Sequence, residues 1–118
     1  MNDELEGLTC TQLDELVAVE LEGWKREKQY LLCPIGEAYT RCRFANRFSS
    51  DSRYAEKLLE KHVKRMGAQF QAWYEGGRWR VGIMRPLGFS PFVEHEIFGR
   101  AVCIALLRAG RAENTEGQ

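Results

Sequence analysis

Two adjacent glycines, Gly76 and Gly77, constrain this chain more than any other feature. They lie in Glu75-Gly76-Gly77-Arg78, between two alternating runs, Ala68 to Tyr74 and Trp79 to Met84. Tight hairpin turns of types I′ and II′ need backbone at positive φ, which glycine adopts without a Cβ clash. A two-residue turn also fixes the register. Tyr74 then faces Trp79, Ala72 faces Val81 and Phe70 faces Ile83 on one side, while Trp73 faces Arg80 and Gln71 faces Gly82 on the other. The first side is expected to be core. The second sets a guanidinium beside an indole, either as a covered cation–π pair or as a stacking platform for a flat ligand, so Trp73 and Arg80 are candidate binding residues.

Helical patterns flank the hairpin. Thr9-Cys10-Thr11-Gln12 has the form of a capping box and starts a helix ending near Gly23-Trp24. Leu13, Leu16, Val17, Leu21 and Trp24 share one stripe, and Glu20 falls inside it. A carboxylate there must be paired, protonated or at a rim; Glu20 is a candidate site residue, with a rim group reaching water or an arginine as the plainer alternative. A second helix is expected from about Asp51 to Met66, capped by Ser49 or Ser50, with Ala55, Leu58, Leu59, Val63 and Met66 as its buried stripe. Ser90-Pro91 reads as the N-cap and first residue of a last helix ending near Gly110. Its apolar residues between 97 and 107 cover more than one face, which predicts burial on two sides; in so small a domain another copy of the chain is one candidate for the second, which motivates an expectation of self-association.

The stretch from Lys25 to Ser49 is weaker. Short strands are expected at Gln29 to Cys33 and Tyr39 to Phe44, separated by Pro34-Ile35-Gly36. Alternation in the second puts Arg41 and Arg43 on one face and Cys42 and Phe44 on the other. The resulting class is α+β, an antiparallel sheet with three helices. Residues 9–110 form one domain, preceded by a flexible 1–8 and followed by a frayed 111–118.

At 118 residues the chain has room for one domain, and its 44% hydrophobic and 29% charged residues are ordinary for a globular protein. No apolar run is long enough to cross a bilayer, so no membrane partner is expected. The acidic start, Asp3, Glu4 and Glu6, is unlike a leader, which points to the cytoplasm. The four cysteines are then expected as free thiols; with His62 and His95 distant in sequence, they lack zinc-ligand spacing. No cofactor is expected. Net charge is zero, yet residues 1–24 are acidic without Lys or Arg, while 41–65 are strongly basic. That polarity would suit head-to-tail association or an anionic ligand, or two solvated faces that neutralise each other. No catalytic constellation is legible, because neither His62 nor His95 has a visible partner, so an enzyme is not expected.

Three strings, in order with the hairpin tryptophans, carry a resemblance. They are LDELVAVELEGW at Leu13 to Trp24, the Phe48-Ser49-Ser50-Asp51 entry to a helix that ends in the Glu60 to His62 segment, and AVCIALLRA at Ala101 to Ala109. Together they resemble the phage ABA-sandwich domain and the NinX-like small proteins of tailed phages. Tyr54-Ala55 stands where that family commonly has an aromatic Ala-Trp element, and Ile104 where it often has a basic residue. The resemblance implies a three-layer α/β/α sandwich and a phage or prophage protein at work in the bacterial cytoplasm; it brings no catalytic residues. The first functional expectation is therefore stoichiometric binding of a host protein, for example inhibition of an anti-phage defence factor. The second is a sponge for a nucleotide signal, with Trp73 or Trp79 stacking the base and Arg80, Arg41 or Arg43 meeting phosphate. The third is nucleic-acid binding through residues 41–65, disfavoured by the zero net charge.

Overall fold

The structure is a computed structural model and describes residues 3–86, 88–89 and 91–116. The chain begins with a single helical turn, α1 (Asp3–Glu6), whose neighbourhood buries Leu5 in the core. Helix α2 (Cys10–Glu20) follows with the capping box as expected: the Thr9 hydroxyl accepts from the Gln12 amide at 3.1 Å, and the Gln12 side chain accepts from the Thr9 amide at 2.9 Å. Residues 3–8, expected as a flexible lead-in, thus supply a turn of helix and a core side chain.

Three short strands come next: β1 (Lys25–Glu27), β2 (Tyr30–Ile35) and β3 (Ala38–Cys42), paired antiparallel in that order. Two-residue turns link them, with Lys28 and Gly36 at positive φ. The strand expectations hold with shifted ends. Pro34 and Ile35 belong to β2 instead of breaking it, and β3 stops at Cys42, which leaves Phe44 68% exposed rather than facing inward.

Helix α3 (Ser52–Met66) buries the expected stripe and ends at Gly67 in the left-handed region. Its N-cap is Asp51, whose carboxylate accepts from the Arg53 amide at 2.9 Å. Ser49, expected as an alternative cap, is instead fully buried, its amide donating to the Asp14 carboxylate at 2.8 Å and its hydroxyl to the Cys10 carbonyl at 3.2 Å.

The hairpin strands β4 (Gln69–Glu75) and β5 (Arg78–Arg85) pair in the register set by Gly76 and Gly77, both at positive φ. On its other side β5 pairs with β6 (Gly88–Phe89) and β7 (Val93–His95), all antiparallel. The last helix, α4, runs from Phe98 to Glu116. Its expected start at Pro91 is corrected by β7, where Val93 is buried opposite Val81 and His95 lies opposite Trp79; Ser90 lies outside the described residues. The far side of β5 held unpaired backbone groups, and pairing them outweighs the local cap signal. Gly110, expected to end the helix, lies inside it, where a Cβ would come within 3.1 Å of Leu21. Helix continues to Glu116, into the segment expected to fray.

Helix α4 is the centre of the molecule. Residues 101–107 are all buried, packed against β5 and β7 on one side and against α2 and α3 on the others. Its two-sided burial, for which a second subunit was a candidate cover, is completed within the chain. Gly99 permits this closeness: a Cβ there would collide with the backbone carbonyl of Ser49. The fold is an α+β sandwich, and among the described residues no helix is long and apolar enough to cross a membrane.

Candidate functional site

The hairpin presents two unlike faces. On the first, Trp73 is half-buried with its ring edge-on to Phe92, centroids 4.8 Å apart and planes at 76°. Gly82 makes room for this, since a Cβ there would overlap the Phe92 ring. What covers this face is therefore an aromatic side chain from the segment before β7. Arg80 is held between two carboxylates, with Nη1 2.5 Å from Glu75 and Nε 3.0 Å from Glu94. Arg78 also reaches Glu94, donating to its carbonyl at 3.3 Å. The guanidinium expected to meet a phosphate is thus already neutralised.

The opposite face differs from expectation. Val81 and Ile83 are buried as expected, but Phe70 is 41% and Tyr74 60% exposed, although alternation predicts both in the core. The cause is position: β4 is the sheet's edge, and among the described residues it is hydrogen-bonded to β5 alone. Helix α4 packs over β5 and β7, farther from this edge, and buries Val81, Ile83 and Val93 there. Between this edge and α3 opens a cleft of about 680 Å³, floored by Phe70, Ala72, Trp79 and Phe98 and walled by Ser52, Glu56, Leu59 and Glu60. Tyr74, Trp79 and Phe98 form an edge-to-face series with centroids 5.4 and 4.9 Å apart, which fixes the floor. Ser52, Glu56, Leu59 and Glu60 recur at helical spacing, so one stripe of α3 forms the wall. Glu56 and Glu60 are exposed and, among the described residues, have no ion-pair partner within 4 Å.

The other candidate residues are elsewhere. Arg41 and Arg43 belong to the first sheet and the turn after it, a sheet separate from the hairpin's. Arg41 lies 3.4 Å from Glu27 and over the Tyr30 ring at 5.6 Å; Arg43 is exposed. Glu20 is clamped by Arg111 of α4 through two bonds of 2.9 Å, which resolves the carboxylate on the apolar stripe of α2. Of the five, Trp73 and Arg80 are cross-strand neighbours on one face of the hairpin.

Two interior polar clusters escaped the sequence reading. His62 is buried, and its ring is fixed by its neighbours: Arg65 Nε–H donates to Nδ1 at 3.1 Å, so Nε2 carries the proton and donates to Glu22 at 2.6 Å. That bond, with Lys61 at 3.0 Å, holds the Glu22 carboxyl below its usual range. The signal was present, because His62 falls four residues after Leu58 and four before Met66 on the buried stripe. In the second cluster Arg100 donates to the carbonyls of Leu8 at 2.7 Å and Glu6 at 3.2 Å, and its Nε approaches His95 Nε2 at 3.1 Å. The Ile97 amide approaches the other nitrogen of His95 at 3.0 Å. A neutral imidazole accepts only one such bond at a time, and an imidazolium accepts neither. Burial, then the Arg100 charge, hold the His95 pKa below its usual value. Burial also raises the Asp14 carboxyl against the pull of Ser49, and raises the Cys103 thiol. These groups tie α2, β7 and α4 together from inside and open onto no cleft described above.

No family model and no curated protein matches the sequence. Among solved structures, a phage protein from Bacillus cereus ATCC 14579, known from a 2.0 Å crystal structure, is similar with a TM-score of 0.67 over 86% of this chain and 91% of that one. At 16% identity the likeness is one of fold. It agrees with the phage resemblance of the sequence strings in that coarse sense, without supplying a family name.

Proposed function

We propose that this chain is a phage or prophage accessory protein that acts by stoichiometric binding of a host protein, inhibiting a defence factor in the bacterial cytoplasm. The observation that carries the binding reading is the cleft between α3 and β4, where two large aromatic side chains stay exposed beside an apolar floor. Burying such a surface is favourable by roughly 25 cal/mol per Å² of apolar area, and aromatic anchors in a preformed recess are the usual source of affinity in protein interfaces. The phage setting rests on the sequence resemblance and on the shared fold with a phage protein. The nucleotide reading is less well supported, because Arg80 is bridged by Glu75 and Glu94 and a phosphate would have to displace them.

Affinity capture from bacterial lysate tests the proposal, comparing the wild-type chain with a Phe70→Ser/Tyr74→Ser double variant and with Trp73→Ala. A host protein recovered in stoichiometric amount by wild type and Trp73→Ala, and lost by the double variant, is the expected result. Recovery unaffected by the double variant, or nothing above background, defeats it. A thermal shift with any member of a nucleotide panel that Trp73→Ala abolishes would establish the sponge instead.

A further inference from the structure

We infer that the β4 edge and the adjoining cleft take an extended segment of a partner protein as an added strand, one carrying lysine or arginine on either side of an apolar residue. This deepens the binding reading above and rests on it. Three observations converge. Every second residue of β4 turns its backbone N–H and C=O to an edge that no described strand pairs, and edges of this kind are completed by strand addition. The edge lacks the usual protections: β4 contains no proline and no lysine, and its only charged residue is Glu75 at the turn. An added strand also sends every second side chain to the cleft side, in line with Phe70, Ala72 and Tyr74.

Charge chooses the occupant. Glu56 and Glu60 line the cleft one helical turn apart and are unpaired among the described residues, whereas three partly buried carboxylates at or against α3 are engaged by its basic side chains: Asp51 by Arg53, Glu22 by Lys61, Glu113 by Arg65. A lysine or arginine on the cleft side lays its aliphatic stem across the apolar floor and brings its charge to this rim. Two β4 edges paired about a twofold axis would instead gather the Glu56 and Glu60 carboxylates of both copies over one junction, which disfavours a second copy as occupant. Complementary charge here sets specificity and encounter rate, while the backbone bonds and the apolar side chain set the lifetime.

The test uses the intact chain, isotope-labelled for NMR. The probes are a synthetic peptide in which threonine alternates with lysine, valine and lysine, the same peptide with glutamate for lysine, and the lysine peptide with alternate backbone amides methylated. The expected result is shift changes confined to 69–75 and the cleft lining, that is Trp79, Phe98 and the cleft-facing residues of α3, for the lysine peptide. The methylated and glutamate peptides should bind at least about tenfold more weakly. Glu56→Lys/Glu60→Lys, both at exposed helical positions, should reverse the preference. Equal binding of lysine and glutamate peptides, indifference to amide methylation, or shifts elsewhere overturns strand addition. Concentration-dependent dimerisation that broadens the β4 signals without peptide also overturns it, by making a second copy the occupant. If no peptide binds while Phe70/Tyr74-dependent capture persists, this inference fails and the stoichiometric-binding reading stands; if the capture fails too, both fall.

Discussion

The two sheets differ in how they are held. The second sheet has a helix for a partner: Val81, Ile83 and Val93 are at most 1% exposed, and α4 packs across β5 and β7. The first sheet has little beneath it. Only Leu31 among its residues is fully buried, β1 is wholly exposed, and β3 is exposed until Cys42. Surface pairs stand in for a core there: Arg26 with Glu15 of α2 at 3.0 Å, Arg41 with Glu27, Lys25 over the Tyr39 ring at 4.7 Å. Apolar burial is non-directional and substantial, whereas exposed ion pairs are screened and nearly balanced by the cost of ordering them. The cleft belongs to the better-anchored sheet, at its β4 edge, which gives a rigid floor beside open backbone groups.

The comparison breaks first at Ile83. Fully buried at the centre of the second sheet, it should lose about 2–5 kcal/mol on Ile83→Ala, through lost transfer energy and the cavity left behind. Urea unfolding followed by circular dichroism measures this, and the midpoint should fall without loss of cooperativity. A change below about 1 kcal/mol would mean that the sheet is not anchored through β5 as its burial indicates.

Much of this difference was hidden in the sequence, for a physical reason. The hairpin register, the capping box and the stripes of α2 and α3 are set by residues a few positions apart, so they could be read from spacing. What decides exposure is non-local. Phe70 and Ile83 face each other across the hairpin and alternate identically, yet one is core and the other surface because β5 gains strands on its far side and β4 does not. The strand that makes the difference, Val93 to His95, is three residues long and lies behind a convincing helix-start signal. The cleft was therefore invisible, its aromatic residues having been assigned to the interior. Trp73 and Arg80 were legible as a pair, but the Phe92, Glu75 and Glu94 side chains around them come from the turn and from a segment whose path no pattern announced. Glu20 was legible as an anomaly; its partner Arg111 lay in residues expected to fray.

A second, smaller effect should be confined to the better-anchored sheet and appear on acidification. His95 of β7 is partly buried and feels the charges of Arg100 on α4 and Arg78 on β5 and, more weakly, of Glu96 and Glu6; burial and the two guanidinium groups hold its pKa in the fold below the ordinary value of 6.5. A base with a lowered folded pKa binds protons more readily when unfolded. Its contribution to stability is whole above the unfolded pKa and is lost as pH falls from about 6.5 through the folded value. Glu22, whose carboxyl is lowered by His62, contributes in the same direction only further down, as pH falls through its own folded pKa. Stability measured between neutral pH and pH 5 should therefore decline in the wild type and decline less in His95→Gln. Equal slopes would assign the loss to other groups.

The smallest effect should come from the first sheet. Arg41 and Glu27 lie 3.4 Å apart with side chains 67% and 45% exposed, so water and salt screen the pair from both sides. A double-mutant cycle of Arg41→Ala and Glu27→Ala should give a coupling of about 0.5 kcal/mol or less, shrinking further in molar salt. The Arg41 contact with the Tyr30 ring survives Glu27→Ala, so Arg41→Ala should cost slightly more than Glu27→Ala, by a few tenths of a kcal/mol. A coupling well above about 1 kcal/mol would show that this sheet is held by more than surface pairs, and the contrast between the two sheets would have to be redrawn with Leu31 and its neighbours as a second core.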